Sequence, residues 1–361
     1  MDGSSARKMV RRALDMTGPW SLWRAFILGV LVANIKSLPF IWHYRILRGL
    51  FHHVLYRPAN FTPSAGPKAL FQPIITSSRT SLSECDYNIH KSNSSYFSDL
   101  DISRLHLMAC LGKRGIEKIG KERKGTGKGK FGIVLGGVSC TFRREIKPYQ
   151  SYEIWSRVLS WDRKWLYIVS HFVRKGAIQP SSYTLQPWRR EQPRSWFQGW
   201  SKPRKGSDDA GGKIGASEPS GSTTPLPKDL IFATATAKYV IKEGRLTVPP
   251  ERFWEACGLL PARPSGVSPP STTTSSSAEC STVDITTASA VSGFASATAE
   301  SIMDSSLTPS ISDDEPWTWK RVEEERKRGM RIAEAMDGLD SLDGTFTGPD
   351  GPALGEYHDL F

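Results

Sequence analysis

Cysteine is scarce in this chain of 361 residues, and it is badly placed for either of its common structural roles. The five thiols, Cys85, Cys110, Cys140, Cys257 and Cys280, are odd in number, with no Cys-x-x-Cys pair and no histidines at zinc-finger spacing. A disulfide framework and a structural zinc site are therefore excluded as organising features, and free thiols in a reducing compartment are expected. Hydrophobic residues are also few, at 39% against roughly 45–50% in an ordinary globular chain. The deficit is local: about half of residues 265–312 are Ser or Thr, which cannot bury enough apolar surface to offset their ordering entropy. The glycine-rich stretch before Phe131 fails as a phosphate loop. Glu122 stands where its first glycine belongs, and Gly129 where Ser or Thr would follow Lys128.

Positive charge is what the chain has in excess, with 48 Lys and Arg against 36 Asp and Glu and a net +12. It gathers in residues 113–130 and again in 189–205, where Trp188, Trp196, Phe197 and Trp200 interleave with it. Both stretches read as solvated loops between strands, and no nucleic-acid partner is expected.

Residues 1–66 are a separate N-terminal segment. Trp20, Trp23, Phe26, Leu28 and Leu31 lead to Leu38, Phe40 and Trp42, with basic residues on both flanks. The charge-free run 25–35 is shorter than the roughly 20 residues of a spanning helix, and it ends at Lys36. A membrane anchor is expected, interfacial or spanning with that lysine snorkelling, rather than a soluble hairpin. Asn60-Phe61-Thr62 and Asn93-Ser94-Ser95 would be glycan acceptors in a secretory lumen. A cytosol-facing domain on an internal membrane such as the endoplasmic reticulum follows, with cytoplasmic or mitochondrial placement as alternatives.

A globular region of residues 67–261 follows a Pro, Gly and Ser linker. Residues 69–80 have strand character, and 96–111 read as a helix stopped by Gly112. Strand-like runs come next around Val138, at 152–159 and 166–173 about a turn at Asp162, and at 230–241, where Ala233, Ala235, Ala237 and Tyr239 share one face. Residues 186–228 read as a flexible insertion, 249–260 as a short amphipathic helix, 262–312 as a disordered tail, and 313–361 as a charged helix, solvated or a weak partner site, with its own tail. One long helix followed by antiparallel strands is an α+β layout in which a sheet wraps the helix.

The densest polar cluster in the core region is Glu84-Cys85-Asp86-Tyr87-Asn88-Ile89-His90-Lys91-Ser92-Asn93, between the first strand and the helix. A loop entering a helix offers free backbone N–H groups, and a carboxylate, amide and imidazole beside them suit activation of water and stabilisation of an oxyanion. The same residues could instead serve as helix caps and turn bonds.

Asp86-x-Asn88-x-His90, then Asn93 and Tyr96, with Asp101 and Arg104 further along the helix, resembles the signature of hotdog-fold acyl thioesterases. It is similar to the membrane-anchored thioesterase superfamily member six-like proteins and to fungal thioesterases of secondary-metabolite pathways. The resemblance implies a hotdog fold, with Asp86 as general base or nucleophile, Asn88 holding water or substrate, and His90 tuning the site. Glu145 is similar to an additional catalytic glutamate, while Asn93, Tyr96, Asp101 and Arg104 are substrate-binding or structural. It also implies hydrolysis of an acyl-CoA or acyl-carrier-protein thioester, release of a fatty-acyl or polyketide chain in biosynthesis, a homodimer or higher oligomer, and no cofactor or metal. Glu84, Lys91 and Ser92 depart from the family pattern. A catalytically silent acyl-binding or membrane-adaptor protein is the alternative.

Among the other candidates, His171 reads as a satisfied strand histidine, and His52 and His53 as interfacial.

Overall fold

A computed structural model describes residues 19–56, 66–122, 131–180, 183–186, 230–264 and 316–337. The expected insertion and Ser/Thr tail lie almost wholly outside these residues, as do the linker, Cys280 and the basic stretch beyond Glu122. The elements run α1 (Pro19–Ala33), α2 (Ile41–Leu50), β1 (Ile74–Arg79), α3 (Asn93–Glu122), β2 (Phe131–Phe142), β3 (Ser151–Trp161), β4 (Trp165–Arg174), β5 (Ile231–Glu243), β6 (Leu246–Val248), α4 (Pro250–Cys257) and α5 (Trp319–Asp337).

The strands form one antiparallel sheet in the order β1-β3-β4-β5-β2, with β6 continuing beside β5. The tight β3–β4 turn is made by Asp162, whose Oδ1 accepts from the backbone N–H of Lys164 and Trp165 at 2.6 Å each. Register breaks in β2 after Leu135 and in β3 after Val158 add twist, which curls the sheet. Gly136 sits at the first break, where a Cβ would collide with the Trp165 indole.

The hollow of the sheet holds α3, as the hotdog expectation requires. Tyr96 and Leu100 pack on Tyr152, Ile154, Phe172, Ala233 and Ala235. Further along, Leu107, Met108 and Leu111 meet Val158, Trp161, Ile168, Ala237 and Ile241. The alanine row of β5 thus faces the helix, as its alternation predicts.

Several expectations are corrected. Residues 69–71 form part of a 3-10 turn (Gly66–Phe71) with Ala69, Leu70 and Phe71 buried, so the first strand starts only at Ile74. Gly112 does not stop α3, which runs to Glu122 and takes in the first part of the supposed basic loop. The glycines are there for contact: a Cβ at Gly112 would lie 2.8 Å from Phe253 Cζ, and one at Gly115 2.5 Å from Cys257 Sγ. Helix α4 lies that close, and its packing offsets the propensity cost of roughly 1 kcal/mol per glycine.

The charged C-terminal helix is not free in solvent but packs along one face. On the outer face of the sheet, α5 buries Ala333 and Met336 against Leu159, Tyr167 and Val169. Ser160 Oγ donates to the Arg326 carbonyl at 2.7 Å, and Arg326 Nη1 to the Trp161 carbonyl at 2.8 Å. At Gly329 a Cβ would strike the Leu159 carbonyl oxygen.

The described part of the N-terminal segment, residues 19–56, holds two α-helices rather than one span. After α1 the chain breaks through a 3-10 turn at Ile35–Ser37 and a left-handed Phe40 at φ 65° before α2. Among the described residues no helix is long and apolar enough to cross a membrane. Cys85, Cys110, Cys140 and Cys257 are free thiols.

Candidate active site

The polar loop between β1 and α3 is pinned at several points. Ser92 N donates to the Glu84 carbonyl and Lys91 N to the Ile146 carbonyl, both at 2.8 Å. Within the loop, Asp86 N donates to the His90 carbonyl and Ile89 N to the Asp86 carbonyl, both at 3.0 Å. Asp86 Oδ1 accepts from Asn88 N at 3.0 Å, a side-chain turn of the kind aspartate favours. Ile89 closes it at φ 58°, an outlier for a β-branched residue and strain that surrounding bonds must hold.

This turn brings three of the expected residues together. Nδ1 of His90 lies 3.3 Å from Asp86 Oδ2, and its Nε2 lies 3.9 Å from Glu145 Oε1. One imidazole therefore faces two carboxylates, with Asp86 and His90 partly covered and Glu145 largely in solvent. Asn88 is exposed at the loop tip. Asn93 is exposed and opens α3, whose first free N–H groups and dipole favour negative charge. The turn of α3 is started by Ser92, whose carbonyl accepts from Ser95 N at 3.0 Å and Ser95 Oγ at 2.7 Å.

The remaining expected residues stand apart from this group. Tyr96 is buried, its ring edge-on to Phe142 and Phe172. Asp101 and Arg104 pair with each other at 2.8 Å, and the Arg104 guanidinium, buried, lies over the Tyr239 ring. His171 is satisfied as expected: Nδ1 is 3.0 Å from Thr234 Oγ1, and burial, with Arg157 and Arg143 nearby, pushes the imidazole down to about 4. His53 is not interfacial. It is buried, with Nε2 2.8 Å from Nδ1 of His106 on α3.

Sequence reasoning missed the charged cluster beneath the loop. Asp99, on α3, accepts at Oδ2 from Lys36 at 2.8 Å and Lys91 at 2.9 Å, at Oδ1 from Arg45 at 2.9 Å, and from the Tyr152 hydroxyl. Glu84 joins it, 3.0 Å from Lys36 and 3.5 Å from Lys91. Burial pushes the Asp99 carboxyl up, but Lys36, Lys91 and Arg45 together hold it well below the usual carboxylate range. Glu84 and Lys91, two of the three departures from the motif, are thus opposite charges of one buried network. Its signal in the sequence was a lysine where the motif is apolar, followed by an aspartate next to the core residue Leu100.

Beside Asp86 a cleft of about 460 Å³ opens between this loop and the N-terminal segment. Ser83, Ser92, Ser94, Ser95 and Ser98 line one side, and Lys36, Leu38, Trp42 and Arg45 the other. The arrangement can hold a polar reacting group against a carboxylate and a helix N-terminus.

Comparison with known proteins gives the same reading. Residues 80–185 match the model of the thioesterase-like superfamily, a span that covers the loop, α3 and strands β2 to β4. The chain is 33% identical to the probable thioesterase atnL of Emericella nidulans over 91% of its own length and 90% of that protein. It is 34% identical to the thioesterase poxG of Penicillium oxalicum, covering 94% of this chain and 91% of that one. For the thioesterase lcsJ of Purpureocillium lilacinum the identity is 30%, over 85% and 87%. With this similarity running nearly end to end, and with the superfamily match lying on the elements that build the site, the chain belongs to the thioesterase-like superfamily of hotdog-fold enzymes.

Proposed function

We propose that the chain hydrolyses an acyl thioester with Asp86 as general base, His90 as its orienting partner and the first turn of α3 as the oxyanion site. The observation that carries this reading is the single imidazole of His90 facing both Asp86 and Glu145 at the mouth of that helix. In the reaction Asp86 takes a proton from water as the water oxygen bonds to the thioester carbon. The carbonyl electron pair moves to oxygen, where the free N–H groups of α3 face it. Collapse of the tetrahedral species re-forms the carbonyl and breaks the C–S bond, and the departing thiolate takes up the proton. A thiolate leaves readily, so the assistance asked of Asp86 is modest, on the order of 10² to 10⁴ in rate. Asn88, beside Asp86 at the loop tip, holds the water or the substrate, and Glu145 supports the imidazole from the solvent side.

The thiol portion is coenzyme A or a carrier-protein arm, and the product is a free fatty or polyketide acid released in a biosynthetic sequence. The exposed apolar surface of α1, α2 and the turn between them, including Leu22, Trp23, Phe26, Leu31 and Phe40, supports attachment to the cytosolic face of an internal membrane. β2 is an edge of the sheet with Val134, Leu135 and Phe142 exposed, which supports pairing of two copies through that edge.

Thiol release from acyl-CoA and acyl-carrier thioesters by the full chain, with Asp86→Ala beside it, tests the reading. Turnover abolished in a variant of unchanged melting temperature is expected. Turnover that survives the substitution would move the chemistry away from Asp86.

A further inference from the structure

The N-terminal segment does more than lie near the site. Lys36 and Arg45, nine positions apart, end on the two oxygens of one buried carboxylate, Lys36 on Oδ2 and Arg45 on Oδ1 of Asp99. Residues 36–45 are thereby stapled at both ends. Between the staples the chain turns through Pro39 and the left-handed Phe40, and Ser37 Oγ meets Ser81 Oγ at 2.5 Å. Two apolar side chains within the staple, Leu38 and Trp42, line the cleft that holds Asp86. Trp42 also belongs to the exposed apolar surface, at 38% accessible, alongside Phe40, Tyr44 and Leu47. The opposite wall is serine hydroxyls and the opening of α3.

We propose that Leu38 and Trp42 are specificity-determining residues: they form the wall along which the acyl chain of the substrate enters from a lipid surface. This rests on the hydrolase reading above and on Asp86 as its base. The occupant is an acyl thioester whose chain is long enough to partition into lipid. Its chain follows Leu38 and Trp42, flanked by the Asp99-paired Lys36 and Arg45, out to the exposed face of α2, while the thioester carbonyl turns towards the serines and Asp86. Two observations select this occupant over a soluble short-chain thioester. The apolar wall is continuous with the exposed apolar surface at Trp42, and the staple fixes that wall in place against the catalytic loop.

The test uses the full chain with palmitoyl-CoA and butyryl-CoA, with and without phosphatidylcholine–phosphatidylserine vesicles, and the substitutions Leu38→Ser and Trp42→Ser. The expected result is a fall of about tenfold or more in the ratio of kcat/KM for palmitoyl over butyryl substrate, the scale on which a few methylenes of contact discriminate. Vesicles should raise that ratio for the parent chain and raise it less for the variants. An unchanged ratio in both folded variants, checked by circular dichroism, overturns the proposal. Should the parent chain turn over neither thioester, the hydrolase reading is decided separately with acyl-carrier thioesters. The wall is then decided by calorimetric binding of hexadecyl and butyl thioethers of coenzyme A, where equal affinity ratios for parent and Trp42→Ser refute it.

Discussion

Replacing Asp99 by asparagine keeps the shape of the side chain and removes the charge on which three cations converge. Lys36 at 2.8 Å, Lys91 at 2.9 Å and Arg45 at 2.9 Å would then have Glu84 as the remaining carboxylate of the network. The Lys91 side chain is wholly buried, so water cannot take over. Removing one partner of a buried pair costs about 3–5 kcal/mol, and for a domain of this size each kcal/mol is worth about 2–4 °C. A drop of roughly 6–20 °C in the melting temperature of the full chain at pH 7, followed by circular dichroism, is expected. The pH dependence gives a second check with a definite sign. The Asp99 carboxyl is held below its unfolded value of about 3.9, so its stabilisation is present above roughly pH 4 and is lost as the pH falls further. The gap between parent and Asp99→Asn should therefore narrow below about pH 4 and stay constant above it. Substituting Asp99 and Lys91 together by leucine and methionine should cost less than Asp99→Asn alone, because no buried charge is stranded at that position. A melting shift under about 3 °C, or a gap indifferent to acid, would refute the claim that the cluster is a buried, charged lock.

Two further outcomes follow from close packing and from burial. Gly329→Ala drives a Cβ into the Leu159 carbonyl, so it should lower stability by about 1–3 kcal/mol and expose α5 to limited proteolysis. His171 is held near 4 by burial, then by Arg157 and Arg143, which is below its unfolded value of about 6.5. Its contribution to stability is thus complete above about pH 6.5 and lost as the pH falls towards 4, so His171→Gln should show a smaller drop in melting temperature between pH 7 and pH 5.

The strands were legible because their periods are simple. β5 alternates cleanly, and its alanine row is the floor on which α3 rests. Where the reading failed, the reason lay in a tertiary partner that no local window contains. Gly112 has the local look of a helix stop, yet Phe253, far along the chain, needs the space that a Cβ would fill. The charged surface of α5 hides a narrow stripe of Ala333 and Met336 that only the outer face of the sheet explains.

The candidate site divides in the same way. Asp86 and His90 were legible as a motif because the turn that joins them is local, closed by bonds within five residues. Glu145 came from resemblance, and its 3.9 Å approach to His90 depends on the Lys91 bond to Ile146, a contact between distant segments. Glu84 and Lys91 looked like damage to the motif because each was judged alone. Together with Asp99 they form a network whose remaining charges, Lys36 and Arg45, are supplied by the N-terminal segment. The departures at 84 and 91 and the docking of that segment therefore belong to one network. An apolar residue at position 91 would leave Asp99 with one buried cation fewer, and an uncharged residue at 84 would leave Lys36, Lys91 and Arg45 to share a single carboxylate. Variation at position 84 should accordingly be tolerated only with matching changes at 36 or 91. A double-mutant cycle across Glu84 and Lys36 measures that coupling, and additive effects would separate the two features again.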